Sequence, residues 1–459
     1  MALTISPWAA FLVGLPFMAL ALAMGRLRRG ERALRGARVA KPHALRHWYW
    51  RSRAGSGLTL AGAALTDLDE TKHFKLIGTT GTGKSTVIRA LLAQALQRGD
   101  RAVIADPDGG YCNRFFDAWR GDRILNPFMA RSARWEPLAE LQDPADPEHL
   151  AGALIATSPD AAASEWRGYA RAFVAAILER SGLIRECDTR ELWRLIAIAG
   201  SEELRPLLSG TPAQPFLDPD NARMFGSLRA IAVAALRPLE FVQWQAGAPL
   251  SVRSWVRQGR GVLFIPYAAR QIAALRSLIA TWMGLAIYEA LSQKEDCDQR
   301  LWIVVDELDA LGPIDGLKDA LTRLRKFGGR CVLGLQSVAQ VSACYGAGPA
   351  QSIIENCGNS LIFRCSGSEN GGTSHFASRL IGDREVLRRQ HSRGRDRQGG
   401  LFSGGARRSA QSSDQRTVEP AVLPAELEQL PDLCGYVKTA SSAVWYPVRV
   451  CRGDLLSGS

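Results

Sequence analysis

An α/β fold with a mostly parallel sheet, an inserted all-α domain and an N-terminal transmembrane helix is what three features of this 459-residue sequence predict. The first is a glycine-rich phosphate loop between a short apolar stretch and a helical one. The second is an apolar strand closed by two acids, with Lys84 and Asp306 standing 222 positions apart. The third is an uncharged N-terminal run followed by a dense row of arginines.

The phosphate loop comes first in the argument. His73–Ile77 is apolar and runs into Gly78-Thr79-Thr80-Gly81-Thr82-Gly83-Lys84-Ser85, which fits G-x-x-x-x-G-K-[ST]. Thr86–Gln97 is rich in Leu, Ala, Arg and Gln, so a helix follows and ends at Gly99. Glycines let backbone N–H groups curl round a phosphate, and the helix N-terminus adds positive potential. Residues Gly78 to Thr86 are therefore the expected nucleotide-binding segment. Lys84 is placed to reach the β- and γ-phosphates, and Ser85 to ligate Mg²⁺. ATP and Mg²⁺ are the cofactors this pattern calls for.

Arg101–Ala105 reads as a buried strand ending in Asp106, which either faces the ligand crevice or caps the turn after it. Leu301–Val305 is five apolar residues followed by Asp306 and Glu307. This is the second nucleotide element: Asp306 holds the metal, and Glu307 orients and activates the attacking water. A third strand, Cys331–Leu335, ends in Gln336, a polar amide suited to sensing the γ-phosphate. Between them, Ile314–Phe327 ends in Arg323, Arg325 and Lys326, a skew that a helix dipole favours by itself.

A phosphate-loop core needs only two or three strand–helix units between its two motifs, so the spacing demands an insertion. Residues 136–245 supply it, with helical periodicity in Glu165–Arg180, Glu191–Ala199 and Ala222–Trp244 separated by prolines. The nucleotide-binding domain then occupies 46–135 and resumes over 246–459. The helix Gln271–Leu291 leads on to the acids. Near the end, residues 391–416 are Gly, Ser and Arg-rich and read as a flexible basic loop, either a DNA contact or a solvated insertion.

The N-terminal 1–45 reads as an anchor, with a helix at about 5–25 and a basic juxtamembrane segment. Trp8 to Gly25 carries no charge, enough to span a bilayer. Seven basic residues follow between Arg26 and Lys41, and none precedes the run. That bias places the body in the cytoplasm, as a single-pass protein. A signal peptide would need positive charge ahead of its apolar core. His47, Trp48, Tyr49 and Trp50 are either an interfacial aromatic belt or the first packing element of the soluble body.

Composition excludes much else. Hydrophobic residues are 46% and charged residues 22%, which rules out a wholly disordered chain and a multi-span membrane protein. Lys and Arg total 57 against 45 acids, a net charge of +12, compatible with nucleic acid or anionic lipid. Nine cysteines lack any Cys-x-x-Cys pair, so a zinc site is rejected and reduced thiols are expected.

The whole constellation resembles the type IV secretion and conjugation coupling proteins of the TraD and TrwB class. The resemblance covers about residues 55 to 450. It is carried by Gly78–Ser85, Arg98–Pro107, Ile124-Leu125-Asn126-Pro127, Val305-Asp306-Glu307, Leu321–Gly328 with Gly334-Leu335-Gln336-Ser337, and Leu430-Pro431-Asp432. It implies a RecA-like P-loop NTPase domain, a homo-hexameric ring and an ATP-driven, DNA-translocating motor in the bacterial inner membrane. It implies delivery of a relaxase bound to single-stranded DNA to the inner-membrane channel proteins. It transfers to Arg325 the role of an arginine acting on the neighbouring subunit's nucleotide, and to Gln336 that of sensor. Catalytic expectations are therefore Lys84, Glu307, Gln336 and Arg325, with Ser85 and Asp306 on the metal. The alternative is a coupling ATPase for protein effectors, without DNA. Family members often have a second membrane helix and a long acidic tail, and neither is visible here.

Overall fold

The computed structural model describes residues 31–41, 57–156, 160–184, 187–296, 298–368, 371–396 and 407–450. The expected membrane helix, its basic flank up to residue 30 and the aromatic cluster at 47–50 lie outside them.

The strands are, in chain order, β1 (Glu31–Gly36), β2 (Arg38–Val39), β3 (Thr59–Leu60), β4 (Ala63–Ala64), β5 (Phe74–Ile77) and β6 (Arg101–Pro107). They continue with β7 (Arg123–Ile124), β8 (Arg134–Trp135), β9 (Pro249–Leu250), β10 (Val262–Tyr267), β11 (Leu301–Val305) and β12 (Gly329–Leu335). The last are β13 (Asn359–Ile362), β14 (Asp383–Asp396), β15 (Arg407–Pro420), β16 (Cys434–Lys438) and β17 (Val444–Arg449).

Ten of these make one sheet in the order β2-β17-β16-β13-β5-β12-β11-β6-β10-β7. From β13 to β7 every neighbour is parallel. β16 turns antiparallel against β13, and β17 against β16. The central strands read as unbroken apolar runs because both faces are covered. Alternate residues sort to the two faces. Phe74, Leu76, Ala102, Ile104, Trp302 and Val304 pack with Val87, Ile88, Leu91 and Leu92 of the Lys84–Gln97 helix. Ile77, Val103, Ala105, Ile303 and Val305 pack on the opposite side with the Ile272–Ser292 helix. That helix is long and apolar enough to cross a membrane. Its burial in this core, with Leu278, Ile279, Met283 and Ala286 each 1% exposed or less, makes it a packing element.

Among the described residues between 146 and 242 the α-helices are Asp146–Leu154, Ala161–Gly182, Thr189–Ala197, Ser201–Leu207, Ala222–Leu236 and Pro238–Val242. The stretch expected as one helix over Ala222–Trp244 is split at Arg237, because Pro238 starts a new helix where its missing N–H costs nothing. A buried polar seam ties this layer to the Ile272–Ser292 helix that packs on the sheet. Glu140 accepts hydrogen bonds from Trp135 Nε1 (2.8 Å), Ser251 Oγ (2.8 Å) and the Val252 N–H (2.6 Å). Arg253 pairs with Asp146 at 2.5 Å and with Glu289 at 3.0 Å, so it joins the Val252–Gln258, Asp146–Leu154 and Ile272–Ser292 helices.

The flexible basic loop expected at 391–416 is corrected. Residues up to Asp396 and from Arg407 belong to β14 and β15, paired in unbroken antiparallel register from Asp383↔Pro420 to Asp396↔Arg407. Composition hides such a ribbon, because its order comes from backbone pairing rather than from apolar side chains. β1 adds to its inner part, making a separate three-stranded sheet.

Candidate nucleotide site

The site forms at the carboxyl ends of β5, β6, β11 and β12. β5 delivers the chain into the Gly78–Gly83 loop, and Gly83 caps the following helix at φ +116, a left-handed conformation that favours glycine. No side chain caps that helix, so its first N–H groups face the loop's concavity. Thr80 and Gly81 form the exposed rim, while Thr82 and Lys84 are buried. The Lys84 ammonium donates to the carbonyls of Gly78 (2.5 Å) and Thr79 (3.1 Å). Burial lowers its pKa, and Asp306 and Glu307 nearby pull it back up. Ser85 and Thr86 are half-buried in the first turn of the helix.

Asp306 and Glu307 leave β11 beside the loop. Gly334 of β12 permits this approach, since a Cβ there would meet the Asp306 carbonyl oxygen at 1.9 Å. A continuous polar chain joins the two motifs. Thr80 Oγ1 donates to Gln336 Oε1 at 3.1 Å, and Gln336 Nε2 donates to Glu307 Oε1 at 2.8 Å. Burial raises the Glu307 pKa, with Asp306 and Asp309 adding to the shift.

Asp306 is 3% exposed, and its Oδ2 accepts a 2.7 Å hydrogen bond from the Tyr111 hydroxyl. Its Oδ1 is buried with no partner. A buried orphan carboxylate oxygen, on a residue whose charge reaches Lys84 next to the half-buried Ser85, is a hard-oxygen donor. It fits Mg²⁺, which takes few protein ligands and completes its shell with phosphate and water. Among the described residues no cluster of three or more His, Cys, Asp or Glu could hold a metal.

Asp106 is the turn cap. Its two oxygens accept the N–H groups of Tyr111 (3.0 Å) and Cys112 (2.7 Å), and burial lifts its pKa to about 6. Tyr111 thus spans from Asp106 to Asp306, with the Arg89 guanidinium 5.4 Å from its ring centre. Tyr267, at the end of β10, is 4% exposed and its hydroxyl has no partner. Its pKa is raised by burial first, then by Glu307 and Asp306. Sequence reasoning missed both tyrosines. Tyr111 has no motif, but a bulky residue in the turn after Asp106 was the available signal.

The C-terminal segment closes the loop from outside. Thr79 donates its N–H to the Arg364 carbonyl at 2.9 Å, and Leu433 donates its N–H to the Thr82 carbonyl at 3.0 Å. Arg364 pairs with Asp432 at 2.7 Å and donates to the Leu430 carbonyl at 3.2 Å. Leu430-Pro431-Asp432, noted in the sequence only as part of a resemblance, is therefore a brace on the phosphate loop.

Arg325 is not brought to this site within one chain. It is exposed in the turn before β12, whereas Gln336 follows that strand. Seven strand residues at ~3.3 Å each put about 20 Å between them. Arg323 shares that exposed end. Arg330 is excluded from any such role: it is 3% exposed and pairs with Glu70 at 3.0 Å. Glu70 also holds Arg98 at 2.8 Å, Arg98 holds Asp100 at 2.5 Å, and Trp302 Nε1 donates to Asp100 at 2.9 Å.

Comparison with known proteins places this geometry. Residues 57–450 match the family model described as the type IV secretion-system coupling protein DNA-binding domain. The coupling protein TraD of Escherichia coli (strain K12) is 32% identical over 383 residues, covering 80% of this chain. The chain spans about half the length of that relative, 51%. Unbound bacterial conjugative coupling protein TrwB, in its N-terminally truncated form, superposes with a TM-score of 0.78 at 31% identity, covering 92% of this chain and 94% of that one. The structure of plasmid coupling protein TrwB with ADP and Mg²⁺ matches with the same TM-score, identity and coverage.

Proposed function

The chain belongs to the type IV secretion-system coupling proteins, and on that premise we propose that it is a membrane-anchored, Mg²⁺-dependent ATPase that drives DNA toward a type IV secretion channel during conjugation. The observation that carries the reading is the chain Thr80–Gln336–Glu307, which makes the phosphate loop and the paired acids one site. TrwB has been seen with ADP and Mg²⁺ and with a non-hydrolysable ATP analogue, and it supports the same ligands here.

In this reading the backbone N–H groups of Gly78–Thr86 hold the phosphates. Lys84 exchanges its bonds to the Gly78 and Thr79 carbonyls for phosphate oxygens. Ser85 and Asp306 would hold Mg²⁺, which would supply positive charge beside the phosphates. Glu307, its pKa raised by burial, orients the attacking water and takes up its proton. Gln336 bonds both Thr80 and Glu307, so it can report the γ-phosphate to the acid. Arg325 acts on the nucleotide of a neighbouring subunit, since its own is a strand length away. That requires a ring, and a homo-hexamer is the assembly proposed, with the 1–45 segment anchored in the inner membrane and the relaxase–DNA complex as cargo.

The test is ATP hydrolysis by the full chain with and without single-stranded DNA, across a salt series. Stimulation that fades with salt supports the reading. A rate indifferent to DNA at low salt favours a coupling ATPase for protein effectors. Mixing Lys84→Ala with Arg325→Ala subunits tests the trans arrangement, because mixed rings then contain some intact sites. No recovery of hydrolysis would contradict it.

A further inference from the structure

The two acids that follow β11 face opposite sides of the sheet. Ile265 of β10 and Val305 of β11 both pair with Ala105 of β6, so the three form one row. All three pack on the face covered by the Ile272–Ser292 helix. Successive strand residues alternate between faces. Asp306 accordingly lies on the other face, where Tyr111 packs with the Lys84–Gln97 helix and its hydroxyl holds the carboxylate at 2.7 Å. Glu307, two positions after Val305, returns to the first face. Tyr267, two positions after Ile265, pairs with Pro107 and belongs to that same face. Glu307 and Tyr267 thus stand in one row, on one face, two strands apart.

Two strand spacings are about 10 Å, a span that these two long side chains and one bridging water can cover. Tyr267 is 4% exposed, and its hydroxyl is buried with no partner. Burying a hydroxyl unpartnered is unfavourable, and a phenylalanine would fill the same space without that penalty. Burial first, and then the charge of Glu307, raises the pKa of the phenol. It therefore keeps its proton at neutral pH and remains a donor. Gln336 reaches Glu307 from β12, on the other side of β11, and donates to Oε1. A carboxylate offers about four acceptor positions, so Glu307 has room for a second donor from the β10 side.

We infer that Tyr267 is a positioning residue for hydrolysis: its hydroxyl, through one water, holds the Glu307 carboxylate from the β10 side while Gln336 holds it from the β12 side. The inference rests on the role proposed above for Glu307. Held from two sides, the carboxylate keeps one direction toward the attacking water. Tyr267 itself transfers no proton and does not touch the nucleotide. Each acid then has its own tyrosine, Tyr111 for Asp306 on one face and Tyr267 for Glu307 on the other.

The test is steady-state phosphate release by the full chain over a range of ATP with Mg²⁺, for wild type, Tyr267→Phe and Glu307→Gln. Tyr267→Phe should lose about tenfold in kcat, the size expected for a hydrogen bond to a charged group. KM and Mg²⁺–ADP affinity should stay within about twofold of wild type, because the lost contact acts on the chemical step alone. The unfolding midpoint should hold. Wild-type kcat in Tyr267→Phe, with Glu307→Gln inactive, overturns the inference and leaves the proposed role of Glu307 standing. A fall in Mg²⁺–ADP affinity equal to that in kcat, or a lowered unfolding midpoint, assigns the hydroxyl to the fold and overturns it as well. Phosphate release at the wild-type rate by Glu307→Gln overturns both the inference and the role on which it rests.

Discussion

Replacing Tyr111 by Phe removes one hydroxyl and leaves the ring, which is 1% exposed, in place. The Asp306 Oδ2 atom loses its 2.7 Å donor, and Oδ1 already has no partner. The carboxylate is then free to turn toward the Lys84 ammonium, whose pKa already registers its charge. A hydrogen bond to a charged group is worth about 1.5–3 kcal/mol. At ~1.4 kcal/mol per tenfold, that is roughly a ten- to hundredfold change in an equilibrium constant. The loss should fall on the part of nucleotide affinity that depends on Mg²⁺, because in the proposed role Asp306 acts on the nucleotide through the metal. The assay is calorimetric ADP binding with Mg²⁺ and with a chelator, for wild type and Tyr111→Phe. Affinity with Mg²⁺ should drop and affinity without it should hold. An equal drop in both conditions, or none, would refute the reasoning.

Other consequences follow from the same geometry. Lys84→Ala should abolish hydrolysis while the protein still reaches the membrane, read by phosphate release and fractionation. Gly334→Ala forces a Cβ against the Asp306 carbonyl and should disable turnover and lower the unfolding midpoint, unlike Gly348→Ala, where a Cβ meets nothing. Arg330→Met removes one guanidinium partner of the buried Glu70 carboxylate, which still pairs with Arg98; the cost should fall below the roughly 3–5 kcal/mol of a fully broken buried pair and be visible in chemical denaturation. Asp106 sits at about 6 against 3.8 unfolded, so the folded state keeps a proton that the unfolded chain has released. Its contribution is full below pH 3.8 and is lost as pH rises through 6. Wild type should therefore lose up to about 3 kcal/mol relative to Asp106→Asn between pH 4 and 7 in unfolding measurements.

The legible parts of this molecule were those written in local pattern. The loop Gly78–Ser85, the acids after Val305 and the amide after Leu335 each sit at a strand end that its apolar run announces, and the structure brings them together. The parts that stayed hidden depend on pairing between distant segments. Nothing near Tyr111 reveals that its hydroxyl meets a carboxylate 195 positions away. The sequence of the outer half of β14 and β15 holds almost no apolar residue, so composition suggested flexibility where the backbone forms a ladder. Arg325 and Arg330 look alike in sequence, five residues apart. Only the fold shows one exposed at the base of β12 and the other buried against Glu70.

The most direct measurement compares nucleotide binding and turnover in Glu307→Gln. The account predicts that this variant binds ATP with Mg²⁺ as wild type does and releases almost no phosphate, with or without single-stranded DNA. Phosphate release at the wild-type rate would show that the acid beside Gln336 does not act on the water.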